Sequence, residues 1–175
     1  PPATDSQQYV LSSSFDLEKT VTHVLKLTET IQDKDYVESI AILKTNEKSP
    51  FLPKNINFII DDLCESVFLE KKFKMLLEIP YNCSRKPTAF YYLYLQNENA
   101  SDRQQRIEEF IGLFPNNDHY TAPLLEEIIK YYGFRSNNQK AYNYAVLLDK
   151  HVKYYPENDI YLNSYVQTIL KQGKE

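Results

Sequence analysis

Phe114-Pro115-Asn116-Asn117-Asp118-His119-Tyr120 recurs 41 residues later as Tyr155-Pro156-Glu157-Asn158-Asp159-Ile160-Tyr161. Apolar residues at helical spacing lead into each aromatic-proline step, and others follow it. The offset holds on both sides of the turn. Ile107 matches Leu148 and Ile111 matches Val152 before it; Leu125, Ile128 and Ile129 match Val166, Ile169 and Leu170 after it. A period of this size marks a helix–turn–helix unit that hides its apolar stripe against the next copy.

Working outward, the pattern predicts helices throughout. Ser101 and Gln104 have the spacing of a capping box leading into Ile107, Phe110, Ile111 and Leu113. Thr121 is the expected cap of the next helix, which tolerates Pro123 in its first turn and buries Leu124, Leu125, Ile128 and Ile129. Asn138 is expected to cap a long helix carrying Ala141, Tyr144, Ala145, Leu148, Val152 and Tyr155. Asp159 is expected to open the last, with Leu162, Tyr165, Val166, Ile169 and Leu170.

Upstream, residues 1–12 read as a loose lead-in. Ser13 and Asp16 form an imperfect cap for a helix near 14–31 that presents Leu17, Val21, Val24 and Leu25; a second helix carries Tyr36, Val37, Ile40, Ala41 and Leu43. Pro50 and Pro53 separate this hairpin from the face Ile56, Ile59, Ile60, Leu63, Val67 and Phe68. The β-branched run at 56–60 leaves a strand open as an alternative there. Phe73, Leu76 and Leu77 form a short helix that Pro80 ends, and Pro87 opens another with Phe90, Tyr91, Tyr94 and Leu95. Of only three glycines, Gly133 and Gly173 stand where a left-handed residue after a helix is expected.

Ala141-Tyr142-Asn143-Tyr144-Ala145-Val146-Leu147-Leu148 through Tyr155-Pro156-Glu157-Asn158 resembles the second helix and proline turn of the tetratricopeptide and half-a-tetratricopeptide families. The resemblance spans about residues 101–172, as pairs 101–132 and 138–172. The period departs from the family's 34 residues, and the usual Trp/Leu/Gly/Tyr first-helix signature is missing. The resemblance implies an all-α fold of stacked antiparallel helical hairpins in a right-handed superhelical segment, within a single domain from 13 to 175. It implies a scaffold role through a concave groove or end-to-end packing. No basic constellation matches a peptide-carboxylate clamp.

Composition narrows the function. Hydrophobic residues at 42% and charged residues at 25% suit an ordered chain. A net charge of -4 does not describe a domain that follows nucleic-acid phosphates. The most basic window, Lys71, Lys72, Lys74, Arg85 and Lys86, is the alternative: a nucleic-acid-associated patch if the five converge. Cys64 and Cys83 are read as making no disulfide framework, and with dispersed histidines they supply too few ligands for structural zinc. A reducing, intracellular setting, nuclear or cytoplasmic, follows as the simpler expectation. Asn82-Cys83-Ser84 and Asn99-Ala100-Ser101 match the glycosylation pattern, which arises easily in an asparagine-rich chain. The run 56–60 stops at Asp61 and Asp62, too short for a membrane span. A start at Pro1-Pro2 without methionine suggests a fragment of a longer protein.

Catalysis finds no constellation. His23, His119 and His151 lie outside any metalloprotease or esterase motif. The acidic pairs Asp61-Asp62, Glu108-Glu109 and Glu126-Glu127 read as solvated helix faces, and no glycine-rich phosphate loop or cofactor motif occurs. Tyrosine is the remaining signal: 15 residues, several in adjacent pairs. Neighbouring helical positions point about 100° apart, so one ring of a pair enters the core while the other meets solvent or a partner. Tyr92, Tyr131 and Tyr154 are the expected protein contacts of a non-catalytic interaction module in a multiprotein complex.

Overall fold

A computed structural model describes residues 5–46 and 56–173, with side chains from residue 18 onward. Among these residues every regular element is helical and no strand occurs. The chain gathers into two compact units, Pro1–Ala89 and Phe90–Glu175, so the single domain expected from residue 13 onward is divided. The repeat lies wholly within the second.

The first unit begins with α1 (Asp5–Gln32) and α2 (Tyr36–Asn46), which pack as a hairpin. Helix α1 starts inside the expected lead-in, and the Ser13 cap falls within it, on side chains outside the described residues. Its buried stripe is also rotated from expectation. Thr20 and Leu27 are buried with Val24 beside the core, whereas Val21 and Leu25 face solvent. On α2, Tyr36, Ser39, Ile40, Ile42 and Leu43 turn inward, and Val37 and Ala41 outward. Helical spacing restricts an apolar stripe to a few rotations, and contact between the two helices selects one.

Helix α3 (Asn57–Leu69) resolves the strand alternative in favour of a helix, with Ile59, Ile60, Leu63, Cys64 and Val67 buried. It packs on α4 (Phe73–Glu78), whose Leu76 is fully enclosed. The prolines expected to separate the hairpins, Pro50 and Pro53, lie outside the described residues. Cys64 and Cys83 are joined by a disulfide, with their Cα atoms 5.8 Å apart. This corrects the expectation of two unbridged thiols. The folded chain brings α3 against the segment before α5 (Lys86–Phe90), a proximity that spacing along the sequence does not encode.

Three short connections share one device. Lys34, Lys71 and Ser136 adopt left-handed backbone, with φ of 59°, 57° and 58°. In each case the next residue's N–H reaches back to a carbonyl five residues earlier: Asp35 to Thr30, Lys72 to Val67, Asn137 to Tyr132. A second bond, from each left-handed residue to the carbonyl three back, completes a Schellman motif. Gly133 and Gly173 therefore do not act as left-handed caps. Gly133 sits inside α7 (Thr121–Phe134), where a Cβ would stand 2.0 Å from the Tyr165 hydroxyl. It allows a close approach of a ring, not a turn.

The second unit continues through a π-helical segment (Tyr91–Leu95), α6 (Arg103–Leu113), α7, α8 (Asn138–Tyr154), a 3-10 turn (Pro156–Tyr161) and α9 (Ser164–Gln172). Each of α6 to α9 packs on the next. Ile107, Phe110, Leu125, Ile128, Ile129, Ala141, Ala145, Leu148 and Val166 form its interior. The caps differ from expectation, by one residue at α6, α7 and α8 and by four at α9. Asp102 precedes α6 without a side-chain cap bond, so the Ser101–Gln104 box is not made; Thr121 is the first helical residue of α7 rather than its cap. Asn137, not Asn138, caps α8, and Asn163, not Asp159, caps α9.

Candidate protein-interaction surface

The two copies of the turn begin alike. Phe114 and Tyr155 end their helices at φ, ψ of -131°, 54° and -128°, 74°. Each donates its N–H four residues back, to Phe110 and His151, at 2.8 and 3.0 Å. Each carbonyl then accepts from the matching asparagine N–H, Asn117 at 3.2 Å and Asn158 at 2.9 Å.

The side chains of those asparagines do different work. Asn117 Oδ1 accepts from the N–H groups of His119 and Tyr120, closing a local turn just before α7. Asn158 is buried, and its Nδ2 donates across to the Asp118 carbonyl at 2.9 Å. Tyr155 Oη likewise donates to the Asn116 carbonyl at 2.8 Å. The second turn thus holds the first by its backbone. Thr121, buried at the start of α7, donates to the Phe114 carbonyl and locks the first turn from within.

Beside this clasp lies a groove. Leu147, Lys150, His151 and Tyr154 of α8, at helical spacing, line it with Ile111, Pro115, Thr121 and Leu125. The inner face of α8 is already filled by Ala141, Ala145, Leu148 and Val152. Leu147 and Tyr154 nevertheless remain 45% and 72% exposed. His151, at 5%, lies beneath them, with its ring tilted against Tyr155. Burial holds its pKa below the ordinary value, against the opposing pull of the Pro115 carbonyl and the Glu157 and Asp118 carboxylates.

The three tyrosines expected to meet a partner are placed differently. Tyr154 is the most open. Tyr92 is exposed, while its neighbour Tyr91 stacks on Tyr120 with ring centres 4.8 Å apart. Tyr131 is half-buried under the Arg135 guanidinium, 3.8 Å from its ring centre. Tyr131, Tyr154 and Tyr92 do not form one patch lining a single groove: Tyr154 lines the groove described above, Tyr131 a polar hollow with Glu108 and Arg135, and Tyr92 a third with Asn97.

Their neighbours serve the fold. Glu108 on α6 accepts from Tyr132 Oη at 2.7 Å, Tyr144 Oη at 2.9 Å and Lys140 Nζ at 3.4 Å, drawing α6, α7 and α8 to one carboxylate. Burial alone would raise the Glu108 pKa; the two hydroxyl bonds and Lys140 outweigh it and hold the carboxyl below its usual range. Burial and the bond to Glu108 push the Tyr144 phenol well above its own. Arg103, buried, makes two bonds to Glu127 at 2.6 and 2.7 Å and a third to the Leu95 carbonyl. Glu126 binds Lys130 and Asn163. The carboxylates at 108, 126 and 127 are therefore packing elements rather than the solvated faces expected.

The five basic residues of the alternative patch do not act as one set of free charges. Lys72 pairs with Glu70 at 2.8 Å and lies over the Tyr36 ring. Arg85 makes two bonds to Glu65 and covers Phe68. Lys86 donates to the Ile79 carbonyl, and burial lowers its pKa. Lys71 and Lys74 are exposed. Among the described residues no group of three or more His, Cys, Asp or Glu could hold a metal ion. No helix among them is long and apolar enough to cross a membrane.

Sequence reasoning named Tyr154 as a candidate without the groove that it lines. The signal was present in Leu147, Lys150, His151 and Tyr154 at helical spacing; what it lacked was the knowledge that Pro115 and Ile111 come alongside. Comparison with family models, curated proteins and solved structures finds no match to this chain.

Proposed function

We propose that this chain is a non-catalytic protein–protein interaction module of a larger assembly, built from stacked helical hairpins of tetratricopeptide-like kind. One observation carries the reading. Helix α8 fills its inner face with core residues and still presents Leu147 and Tyr154, two turns apart, beside a turn clasped in place by its own repeat. Large apolar groups on a braced surface favour association, because covering them removes apolar area from water while little of the backbone needs ordering. No cofactor enters this reading.

The nuclear or cytoplasmic setting expected from the sequence rested on unpaired thiols. The Cys64–Cys83 bond removes that premise and favours an oxidising compartment. The nucleic-acid alternative loses support for a similar reason, since Lys72, Arg85 and Lys86 already have internal partners.

Affinity capture of the full-length protein, after nuclease treatment and at near-physiological salt, tests the proposal. A stoichiometric protein partner that is lost with Tyr154→Ala supports it. Nucleic acid retained in a parallel capture without nuclease, weakening steeply with salt and with Lys71→Glu and Lys74→Glu, supports the basic patch instead.

A further inference from the structure

If the chain is an interaction module, the groove on α8 restricts what it can hold. Its volume is about 110 Å³. Sites for drug-sized ligands run roughly 300–1,000 Å³, so this one has room for a single side chain. The apolar groups at its rim, Leu147 and Tyr154, suit an apolar one.

The polar lining adds a second requirement. Asn158 Nδ2 donates to the Asp118 carbonyl, which fixes that atom as the amide nitrogen. It also lies 3.4 Å from His151 Nε2, so Nε2 accepts and the ring proton resides on Nδ1. Nδ1 is buried and makes no hydrogen bond of good geometry, with the Pro115 carbonyl as the acceptor that acts on the ring. Lys150 is the charged group in the lining and is exposed, while its helical neighbours Asp149 and Lys153 pair with each other at 2.7 Å. The exposed Lys150 ammonium is the group in the lining that suits an acceptor oxygen of an occupant. Asp118 and Glu157 act on His151 from the two turns, which limits how much negative charge an occupant can bring there.

We infer that this groove binds an acidic peptide segment of a partner protein, seating one large apolar side chain between Leu147 and Tyr154 with a side-chain carboxylate against Lys150. The apolar contact supplies affinity, and Lys150 selects the sequence. The inference rests on the interaction-module reading and goes further by naming the surface and the chemistry of its occupant.

The test uses the isotope-labelled chain in solution and short end-capped serine peptides with one central leucine, flanked by glutamates, by lysines or by serines. The expected result is selective NMR shift changes at Leu147, His151 and Tyr154. The glutamate peptide should bind on the order of tenfold more tightly than the lysine peptide, and Lys150→Glu should invert that order. Shifts that spare these residues, or a preference untouched by Lys150→Glu, would overturn the inference. So would a sedimentation-detected dimer that Leu147→Glu dissociates, because a second copy would then occupy the groove. Capture of a stoichiometric partner unaffected by Leu147→Glu removes the groove but leaves the module reading standing. Capture of no partner by the unaltered protein removes both.

Discussion

The Nδ2 of Asn158 donates a hydrogen bond to the backbone carbonyl of Asp118 at 2.9 Å, so one copy of the repeated turn holds the other. The equivalent asparagine, Asn117, spends its side chain inside its own turn. Asn158→Ala should therefore destabilise the second unit by about 2 kcal/mol, since it removes the bond of a buried side chain and leaves the buried His151 ring short of a donor. Asn117→Ala, which loses exposed local bonds, should cost about 1 kcal/mol or less. Urea unfolding of both variants compares them; equal losses would show that the clasp contributes nothing beyond the local turn.

Glu70 receives Lys34 at 2.8 Å, Lys72 at 2.8 Å and the Tyr36 hydroxyl at 3.0 Å, and the bonds from Lys34, Lys72 and Tyr36 lower its pKa to about 2. A depressed carboxyl pKa stabilises the fold above the unfolded value, here 4.5, and that contribution disappears as pH falls toward 2. Thermal melts between pH 5 and 2 should show a steeper decline for the native chain than for Glu70→Gln. Parallel curves would mean that Glu70 titrates as an ordinary carboxyl.

The Cys64–Cys83 bond closes a loop with a sequence separation of 19. Reduction should lower stability by about 3 kcal/mol in the chain-entropy picture, and Cys83→Ala should reproduce the loss. Alkylation and mass measurement under denaturing conditions without reductant check the premise: two labels on the unreduced chain would show the bond absent.

Lys71 and Ser136 occupy left-handed backbone without being glycine, a conformation that costs an L-residue roughly 1 kcal/mol or more. Glycine there removes the steric cost but gains unfolded-state entropy, so Lys71→Gly and Ser136→Gly should each stabilise by up to about 1 kcal/mol. Destabilisation in chemical melts by both would argue against the Schellman geometry.

Gly133→Ala would ordinarily strengthen a helix by up to about 1 kcal/mol. In this chain the new methyl meets the Tyr165 hydroxyl, so the gain should vanish or reverse. It should return in part in the Tyr165→Phe background, where the colliding oxygen is gone and the ring carbon behind it stands 3.2 Å from the methyl. A double-mutant cycle showing simple additivity would disprove the contact.

The helices themselves were legible because their apolar spacing is local. Ile59, Ile60, Leu63 and Val67 place α3, and the 41-residue offset places matched residues such as Ile107 and Leu148 in one interior. Which face of α1 turns inward was not legible: Val21 and Leu25 fit the period as well as Thr20, Val24 and Leu27 do. Cap positions slipped because serine, threonine and asparagine are abundant near the helix starts, and small differences in backbone entry decide which one bonds.

The sequence by itself determined the helical class, the approximate element boundaries and the existence of a repeated turn, since these follow from periodicities within a few residues. Tertiary structure decided the pairing of Cys64 with Cys83, the burial of Arg103 against Glu127, the tyrosine bonds to Glu108 and the groove under Tyr154. Each of these depends on groups far apart in the chain. Their meeting is fixed by how whole helices pack, and no local pattern carries that information.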